Sequence, residues 1–300
     1  MRYIVLGASG QLGTDICRVL TERNISYVPG FHNDMDITDW NSVEGFLYDS
    51  VDKDDMVINC IAYNDVLAAE KDPQEALEVN AIGVYNLASH LVGKKALLVH
   101  FSTDYVFSDT TQKAVHNNWD NKPHPLTNYG KSKWIGEQML QTVLPDNHII
   151  IRTSGLFGDT PSKIKGNFLF NMWKKYQAGE DIHVYNNLIF KPTYAAQLAD
   201  CTIDLIDKKM AGNSIMSTLH IANKGYCSWY QLALEFFFHM GVADAKLHSK
   251  EYSHYDISEV KRPLSSVLDT HSFDILNTPH RMTDWQVAVK TYANNLKATL

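Results

Sequence analysis

The sequence predicts an α/β protein with a doubly wound parallel sheet, and three observations support this class. Short apolar runs alternate with segments of helical periodicity as far as Thr153. The runs are almost continuously apolar, as expected for strands that are buried on both faces. A glycine-rich turn follows the first run and opens the first helical segment. Strands and helices that alternate in this way form right-handed crossovers, which pair the strands in parallel.

Each element of the first half follows from a local pattern. Asp39 or Thr38 can cap a helix that begins at residue 40, and Pro73 suits the first turn of the longest helix. The polar residues 108–128, with Pro123 and Pro125, predict a loop. Strands are predicted over residues 2–6, 26–28, 56–59, 96–101 and 149–151, and helices over 11–23, 40–48, 73–93 and 129–144.

After Thr153 the alternation becomes irregular, which predicts a second and smaller part of the molecule. Helices are predicted over residues 167–178, 193–209, 228–240 and 285–297, and strands over 183–185 and 219–221. We predict a Rossmann-type NAD(P)-binding domain over 1–153 plus about 181–222, and a C-terminal α+β substrate lobe over about 154–180 plus 223–300. The lobe is expected at the carboxyl edge of the sheet, where ligands of such sheets bind.

The composition argues against several functional classes. With 300 residues and a formal net charge of −7, the chain is unlike a protein that neutralises nucleic-acid phosphates. Apolar runs of membrane-spanning length and a signal-peptide pattern are both missing from the sequence, which predicts a cytoplasmic protein with no membrane partner. The 4 cysteines form no Cys-x-x-Cys pair and are expected to be free thiols. The 13 histidines lack metal-ligand spacing, so no metal site is predicted.

The turn after the first strand predicts a dinucleotide site. Gly7, Gly10 and Gly13 recur at a spacing of three, with Gln11 and Leu12 between the last two. Glycine allows positive φ and lets the backbone come close to a ligand. The N-terminus of the following helix offers N–H donors and the positive end of its dipole to a diphosphate. The spacing is one residue longer than in the common dinucleotide fingerprint.

The end of the second strand bears on the choice between the two nicotinamide dinucleotides. Residues 28–32 contain no acidic side chain that could bond a ribose 2′-hydroxyl and repel a 2′-phosphate. NADP(H) is therefore favoured, and NAD(H) remains possible because no arginine lies there either. Asp36, which precedes Ile37, is either a partner of the adenine amino group or a residue of an exposed turn.

A single Tyr-x-x-x-Lys pair, Tyr129 and Lys133, predicts the catalytic centre. Side chains four residues apart share one face of a helix. A tyrosine hydroxyl can protonate the oxygen of a ketone that receives a hydride, and a nearby ammonium should lower its pKa from about 10. Thr103 follows the fourth strand at the same sheet edge, so its hydroxyl is expected to help hold the substrate oxygen.

Further motifs extend over nearly the whole chain. They lie at residues 7–13, 36–39, 57–59 with 62–63, 80 with 88, 102–107, 129–133 with 136–137, 151–154, 192–193, 228–230 and 262–263. The strings Ser-Thr-Asp-Tyr-Val-Phe at 102–107 and Tyr-Gly-Lys-Ser-Lys at 129–133 are the most specific. In this order the motifs resemble the extended short-chain dehydrogenase/reductase family, and within it the dTDP-4-dehydrorhamnose reductases.

The resemblance implies an enzyme that uses NAD(P)H to reduce the C4 ketone of a nucleotide-linked 4-keto-6-deoxy sugar, in deoxysugar and surface-polysaccharide biosynthesis. Tyr129 would be the general acid, and Lys133 would tune it and bind the nicotinamide ribose. The implied catalytic residues are Thr103, Tyr129 and Lys133. Implied cofactor contacts are Gly7, Gly10, Gln11, Leu12, Gly13, Asp36, Ile37, Cys60, Ile61, Ala62, Tyr63, Ser102, Tyr129 and Lys133. Implied substrate contacts are Thr103, Asp104, Tyr105, Val106, Gly155, Asn167, Lys191 and Arg262.

Three departures from the family pattern concern the substrate. Leu67 stands where the family commonly has Asp, and Gly155 stands where it has an aromatic residue. The usual Gln-x-Gly-x-Pro-Thr run reads Leu-Ile-Phe-Lys-Pro-Thr at residues 188–193. Gly155 is expected to open or reshape the sugar pocket. The hypothesis that follows is a substrate whose sugar or nucleotide differs from that of dTDP-4-dehydrorhamnose.

Two other functions remain open on the sequence. One is a nucleotide-sugar epimerase that keeps NAD bound, and the other is a non-catalytic NADP-binding regulatory subunit that contacts an enzyme. A dehydratase is disfavoured because Thr103 is followed by Asp104 and Tyr105 rather than by an Asp-Glu pair. Long helices that cover the sheet make a homodimer possible.

Overall fold

A six-stranded parallel sheet forms the centre of the molecule in the computed structural model, which describes residues 2–52, 54–108, 115–116, 121–160, 166–253 and 260–300. The strands are β1 Tyr3–Leu6, β2 Tyr27–Gly30, β3 Met56–Asn59, β4 Leu97–Thr103, β5 Val115–His116, β6 His148–Thr153, β7 Leu156–Phe157, β8 Ile182–Tyr185, β9 Ile189–Phe190, β10 Thr193–Tyr194, β11 Thr218–His220, β12 Cys227–Ser228, β13 Leu247–Lys250 and β14 Val267–Leu268.

Helices lie between most of these strands. They are α1 Gln11–Glu22, α2 Trp40–Ser50, α3 Val66–Lys71, α4 Pro73–Leu77, a π-helical segment Glu78–Ile82, α5 Gly83–Leu91, a 3₁₀ turn Asp104–Val106, α6 Asn128–Val143, α7 Phe168–Gln177, α8 Ala195–Met210, α9 Trp229–Met240, α10 His271–Asp274 and α11 Trp285–Thr299. Within the described ranges, each helix is too short or too polar to cross a bilayer.

The sheet has the order β11-β6-β4-β3-β1-β2, and every neighbouring pair is parallel. The α/β class with a doubly wound parallel sheet is therefore confirmed. The strand order reverses between β1 and β3, and the carboxyl ends of strands at such a switch point border a crevice in which ligands bind. The glycine-rich turn after β1 lies at this point.

Both faces of the sheet are covered, which explains why its central strands are almost wholly apolar. One face packs against α1 and α8, and the other against α2, α5 and α6. All seven residues of β4 and all four of β1 and of β3 are buried. A third apolar cluster, built from α7, α9, α11 and β8, forms the core of the C-terminal part.

The division of the chain between the two parts stays a prediction, but individual elements can be placed. Strand β11 pairs with β6 in the parallel sheet, and α8 covers that sheet. Strand β8 instead pairs with β13 and packs in the C-terminal cluster. Much of the loop predicted over residues 108–128 falls outside the described residues, although β5 within it pairs with β14.

The longest predicted helix has a different form from the expected one. Instead of a regular helix over residues 73–93, the chain forms α4, the π-helical segment and α5 in succession and leaves the helix after Leu91. Within the π-helical segment, the Asn80 side chain donates to the Ser132 hydroxyl at 3.0 Å. Helix α6 comes so close here that a Cβ on Gly136 would overlap the carbonyl oxygen of Asn80. These tertiary contacts account for the irregular helix. Segments of π-helix are often found beside functional sites.

Candidate active site

Two adjoining cavities lie at the carboxyl edge of the sheet. The larger has a volume of about 490 Å³ and the smaller about 240 Å³. Thr103, Asp104, Tyr129 and Gly155 lie on the walls of both. The residues that the sequence assigns to catalysis thus stand where the two cavities meet, apart from Lys133, which lines the larger one alone.

The glycine turn shapes one end of the larger cavity. Gly7 has a φ of 74°, which disfavours any residue with a side chain. A Cβ on Gly13 would overlap the backbone of Gly7, so the first turn of α1 requires a glycine at that position. Gly10 is the N-cap of α1 and supplies no side-chain cap. The first N–H groups of α1 are therefore left for another acceptor.

These features fit a dinucleotide. Nine of the predicted cofactor contacts line the larger cavity, namely Gly10, Gln11, Leu12, Cys60, Ala62, Tyr63, Ser102, Tyr129 and Lys133. The Ser102 hydroxyl is buried and finds no hydrogen-bond partner among the described residues. An anionic ligand at the N-terminus of α1 and a polar group beside Ser102 would satisfy both sets of donors.

The remaining predicted cofactor residues line neither cavity. Gly7, Gly13 and Ile61 build the turn and the adjoining backbone. Asp36 is exposed and accepts hydrogen bonds from the backbone N–H and the hydroxyl of Thr38, which lower its pKa. Ile37 is buried among the apolar residues beneath α2 and α5. The local contacts of Asp36 are those of a turn residue, one of the two roles left open by the sequence.

Thr103 and Asp104 form a hydrogen-bonded unit at the end of β4. The Thr103 hydroxyl accepts from the backbone N–H of Tyr105 at 3.2 Å and donates to Asp104 at 3.1 Å. The other Asp104 oxygen accepts from Ser154 at 2.6 Å. Burial raises the pKa of Asp104 to about 6, although these hydrogen bonds act in the opposite direction. The unit presents fixed polar groups to both cavities.

Tyr129 lies in the first turn of α6, which Thr127 caps by accepting from the N–H of Gly130 at 2.9 Å. Burial raises the pKa of Tyr129, and a hydrogen bond with Thr103 opposes that rise. The expectation that the pKa of Tyr129 would lie below its ordinary value was wrong. Desolvation dominates at the buried phenol, and Tyr129 therefore stays protonated at neutral pH, as a general acid requires.

The Lys133 side chain is directed at a histidine that the sequence analysis did not identify. Its Nζ lies 3.3 Å from Nε2 of His100, and Nδ1 of His100 lies 3.2 Å from Nδ2 of Asn59. All three side chains are buried. Burial lowers the pKa of Lys133 to about 8 and holds that of His100 well below its usual value. The pairing of Asn59 with His100 between β3 and β4 brings this group together, and no local sequence pattern shows it.

A buried ion pair ties α6 to the sheet. Arg152 on β6 donates from Nε and Nη2 to the two oxygens of Glu137, at 2.9 and 2.6 Å. The Arg152 guanidinium also lies 5.2 Å from the ring centre of Phe107. Glu137 stands one turn after Lys133, so this pair helps to fix the helix that carries the catalytic side chains.

The smaller cavity combines an aromatic wall with a cationic group. The rings of Phe190 and Trp229 stack with centroids 3.9 Å apart and planes 15° from parallel. Arg262 also lines this cavity and donates to the Tyr105 hydroxyl at 3.0 Å. Such a wall suits a ring with apolar faces, and the guanidinium suits a phosphate.

Of the two outcomes expected at Gly155, an opened or a reshaped pocket, the structure has the reshaped one. A Cβ there would overlap the ring of Phe190, so the Phe190 side chain occupies the space that a larger residue 155 would need. Gly155 also has a φ of 50°, in the left-handed region. The cavity is therefore reshaped by an aromatic ring from β9 and is not simply opened.

Three other predicted substrate residues lie away from the smaller cavity. Val106 is buried in an apolar cluster with Phe107. Asn167 lies on the wall of the larger cavity, where it caps α7 and donates to Gln11 at 3.1 Å. Lys191 lines neither cavity, and its ammonium donates to Thr270 at 3.2 Å. Leu67, the other departure from the family pattern, is exposed on α3.

Comparisons with known proteins agree with this geometry. The family model described as the RmlD substrate binding domain matches residues 1–298. The spore coat polysaccharide biosynthesis protein SpsK of Bacillus subtilis is 31% identical over 97% of this chain and 96% of its own length. The crystal structure of a dTDP-4-dehydrorhamnose reductase of Clostridium acetobutylicum is 31% identical, covers 99% of this chain and 100% of its own, and superposes with a TM-score of 0.87.

A second solved structure includes a ligand. The dTDP-4-dehydrorhamnose reductase of Bacillus anthracis, crystallised in complex with NADP, is 29% identical and has a TM-score of 0.83. The match covers 97% of this chain and 98% of that one. The likeness therefore extends over nearly the whole length of both chains.

Proposed function

The chain belongs to the RmlD substrate-binding domain family, and we propose that it is an enzyme that reduces the C4 ketone of a nucleotide-linked 4-keto-6-deoxy sugar. The observation that carries the proposal is the position of Tyr129 and Thr103, whose side chains face both cavities. One cavity suits a dinucleotide and the other suits a sugar. A hydride donor and a ketone would therefore meet beside a proton donor.

The chain's own residues supply the acid chemistry and the orientation. A nicotinamide dinucleotide, when bound in the larger cavity, supplies the hydride. Tyr129, protonated because it is buried, gives its hydroxyl proton to the developing C4 oxygen. The single hydroxyl proton of Thr103, which is donated to Asp104 at 3.1 Å in the structure, would turn to the same oxygen when the substrate binds. The positive charge of Lys133 favours the phenolate that Tyr129 becomes.

The smaller cavity supports a nucleotide sugar as substrate. The sugar would lie against the stacked rings of Phe190 and Trp229, and the diphosphate would lie near Arg262. Reduction at C4 yields a 6-deoxy sugar that is still linked to its nucleotide. The names of the relatives, one of which acts in spore coat polysaccharide biosynthesis, support a role in surface-polysaccharide formation.

We assign NADP(H) as the preferred cofactor, with NAD(H) as a usable alternative. The carboxylates near the end of β2 are engaged locally, because Asp34 accepts from the backbone N–H of Phe31 at 2.8 Å and Asp36 accepts from Thr38. Neither is held free to bond a ribose 2′-hydroxyl.

A reaction that consumes a reduced dinucleotide and a nucleotide sugar also agrees with a cytoplasmic location and with four free cysteines. We also propose a homodimer, which a measurement of the molecular mass in solution would test.

The decisive experiment follows the oxidation of NADPH and of NADH with freshly made 4-keto-6-deoxy sugars linked to dTDP, GDP, CDP and UDP. We expect stoichiometric oxidation with one nucleotide, and a higher kcat/KM for NADPH than for NADH. Turnover of dTDP-4-dehydrorhamnose equal to or above that of the others would refute the hypothesis of an altered substrate. Sugar conversion without net oxidation would indicate an epimerase. Cofactor binding without conversion of any sugar, together with a co-purifying enzyme, would indicate a regulatory subunit.

The aromatic wall leads to a prediction about substrate affinity. Phe190→Ala should raise KM for the nucleotide sugar about 2- to 12-fold, the equivalent of roughly 0.5–1.5 kcal/mol of aromatic contact, with little change in kcat. Gly155→Ala should also raise KM, because its methyl group displaces the Phe190 ring. Steady-state kinetics with saturating cofactor measure both effects.

Two further variants make this test specific. In the double variant Gly155→Ala/Phe190→Ala the overlap is removed, so the rise in KM should be smaller than the product of the two single effects. Phe168→Ala is the matched control, because Phe168 packs edge-on against Trp229 but lines neither cavity. Independent effects in the double variant, or a KM rise in the control as large as that of Phe190→Ala, would contradict the assignment.

A further inference from the structure

A chain of buried hydrogen bonds runs behind the catalytic lysine. The backbone N–H of Ile61 donates to Oδ1 of Asn59 at 3.0 Å, which fixes the orientation of the Asn59 amide. The Nδ2 of this amide therefore faces Nδ1 of His100 at 3.2 Å. On the other side of the imidazole, Nε2 of His100 lies 3.3 Å from Nζ of Lys133. Asn59 and His100 have no exposed surface, and Lys133 has 1%.

The donors and acceptors of these buried hydrogen bonds are compatible with only one arrangement of protons. The Asn59 Nδ2 can only donate, so Nδ1 of His100 must accept. A neutral imidazole then carries its single proton on Nε2, which points at Lys133. The Lys133 nitrogen can accept that proton's hydrogen bond only as a neutral amine, since an ammonium has no lone pair. A charged Lys133 would force the proton onto Nδ1, where it would face the Asn59 donor.

We propose that His100 is a positioning residue that sets the protonation state of Lys133, because its hydrogen bonds are complete only when Lys133 is the neutral amine. The ring cannot relieve the conflict by becoming an imidazolium, since both nitrogens would then be donors facing donors. The histidine therefore acts through Lys133 and touches neither cavity itself. The proposal concerns the same site as the proposed reductase and rests on that function for its kinetic test.

Two other groups near Lys133 favour its ammonium form, in opposition to His100 and to burial. Glu137, one turn along α6, and Cys60, after β3, both raise the pKa of Lys133, but they are outweighed by burial. Glu137 is itself paired with Arg152, which reduces its hold on the lysine. Burial holds the pKa of His100 well below its ordinary value, as a neutral ring requires. The surroundings thus place the ammonium–amine equilibrium close to neutral pH.

This control has a consequence for the reaction. After Tyr129 gives up its proton it is a phenolate, which a positive charge on Lys133 would stabilise. A lysine whose pKa lies near neutral pH can supply that charge and then return a proton to the Tyr129 phenolate, which becomes a hydroxyl again, whereas an ordinary lysine stays charged. We therefore expect the rate of reduction to fall on the alkaline side with an apparent pKa near 8, the value to which burial lowers that of Lys133.

The first experiment examines the histidine without turnover. Nitrogen NMR of the cofactor-free protein labelled with ¹⁵N-histidine distinguishes a protonated ring nitrogen from an unprotonated one. Above pH 8 we expect His100 to be protonated at Nε2 and unprotonated at Nδ1, with the signal assigned by its loss in His100→Gln. An imidazolium, or the Nδ1-protonated form at pH 9 to 10, would overturn the proposal whether or not the protein reduces any sugar.

The second experiment compares pH profiles of kcat/KM. In His100→Gln the side-chain amide can turn its oxygen toward Lys133, so the ammonium is favoured and the alkaline apparent pKa should rise by about one unit or more, toward 10.5. His148→Gln is the matched control: His148 is also buried, bonds to the carbonyl of Leu144 and lies outside the site. We expect its profile to match that of the native protein. An unshifted profile in His100→Gln, or equal shifts in both variants, would refute the role of His100.

Discussion

Tyr129→Phe is expected to lower kcat by roughly a hundred-fold or more, the contribution typical of a general acid. The change removes only the hydroxyl that is held by Thr103 at the junction of the cavities. Dinucleotide affinity should stay close to that of the native protein, because the phenyl ring keeps its edge-to-face contact with Tyr105. Single-turnover rates and fluorescence titration with NADPH would measure the two quantities separately.

Tyr105→Phe is the matched control for this prediction. It removes a hydroxyl from the neighbouring ring, and that hydroxyl accepts from Arg262 at 3.0 Å. Its loss should loosen Arg262 and raise KM for the nucleotide sugar, with kcat changed far less than in Tyr129→Phe. Near-native turnover by Tyr129→Phe would remove this tyrosine from the mechanism, and an equal loss of kcat in both variants would assign it a structural role.

The second large effect concerns stability. Arg152→Met should reduce the free energy of unfolding by about 3–5 kcal/mol, because it leaves the Glu137 carboxylate buried without its counter-charge. Glu137→Leu should cost a similar amount for the converse reason. Urea titrations followed by circular dichroism would show the loss as a lower midpoint of unfolding.

The double variant Glu137→Leu/Arg152→Met separates charge burial from packing. Two apolar side chains of similar size leave no unpaired charge, so most of the lost stability should return. In this variant the pKa of Lys133 should fall further, because Glu137 no longer favours the ammonium. The alkaline limb of kcat/KM should then move to lower pH. Single variants that lose under 1 kcal/mol, or a double variant that loses the sum of both, would contradict this account.

Much of the fold could be predicted from local patterns. The apolar runs at β1, β3, β4 and β6 are buried on both faces, and burial of that kind leaves a continuous apolar run in the sequence. Asp39 caps α2 by accepting from the N–H of Ser42, as its position suggested. The two-residue strands of the C-terminal part and helix α3 were missed, since elements of that length carry no periodicity.

For the candidate site, the sequence predicted where residues lie better than it predicted their pKa values and hydrogen-bond partners. Glycine spacing locates the turn that borders the larger cavity, and the Tyr-x-x-x-Lys pair identifies two side chains that line it, because each pattern lies within one local element. The wrong expectation for the pKa of Tyr129 has a physical cause: spacing places Lys133 on the same helix face but says nothing about burial or about which partner its ammonium meets. Lys191 illustrates the same limit of sequence patterns. It lies beside the Pro-Thr motif at 192–193, but its ammonium bonds to Thr270 and lines neither cavity.

By itself, the sequence determined the parallel sheet, the position of the glycine turn after β1 and the helix that carries Tyr129 and Lys133. These features can be predicted because their patterns are formed by residues close in the chain. Only the tertiary structure decided that His100 meets Lys133, that Arg152 neutralises Glu137 and that the Phe190 ring lies over Gly155. Each of these contacts joins separate elements, and the pairing register and helix packing that create it are set by the core as a whole.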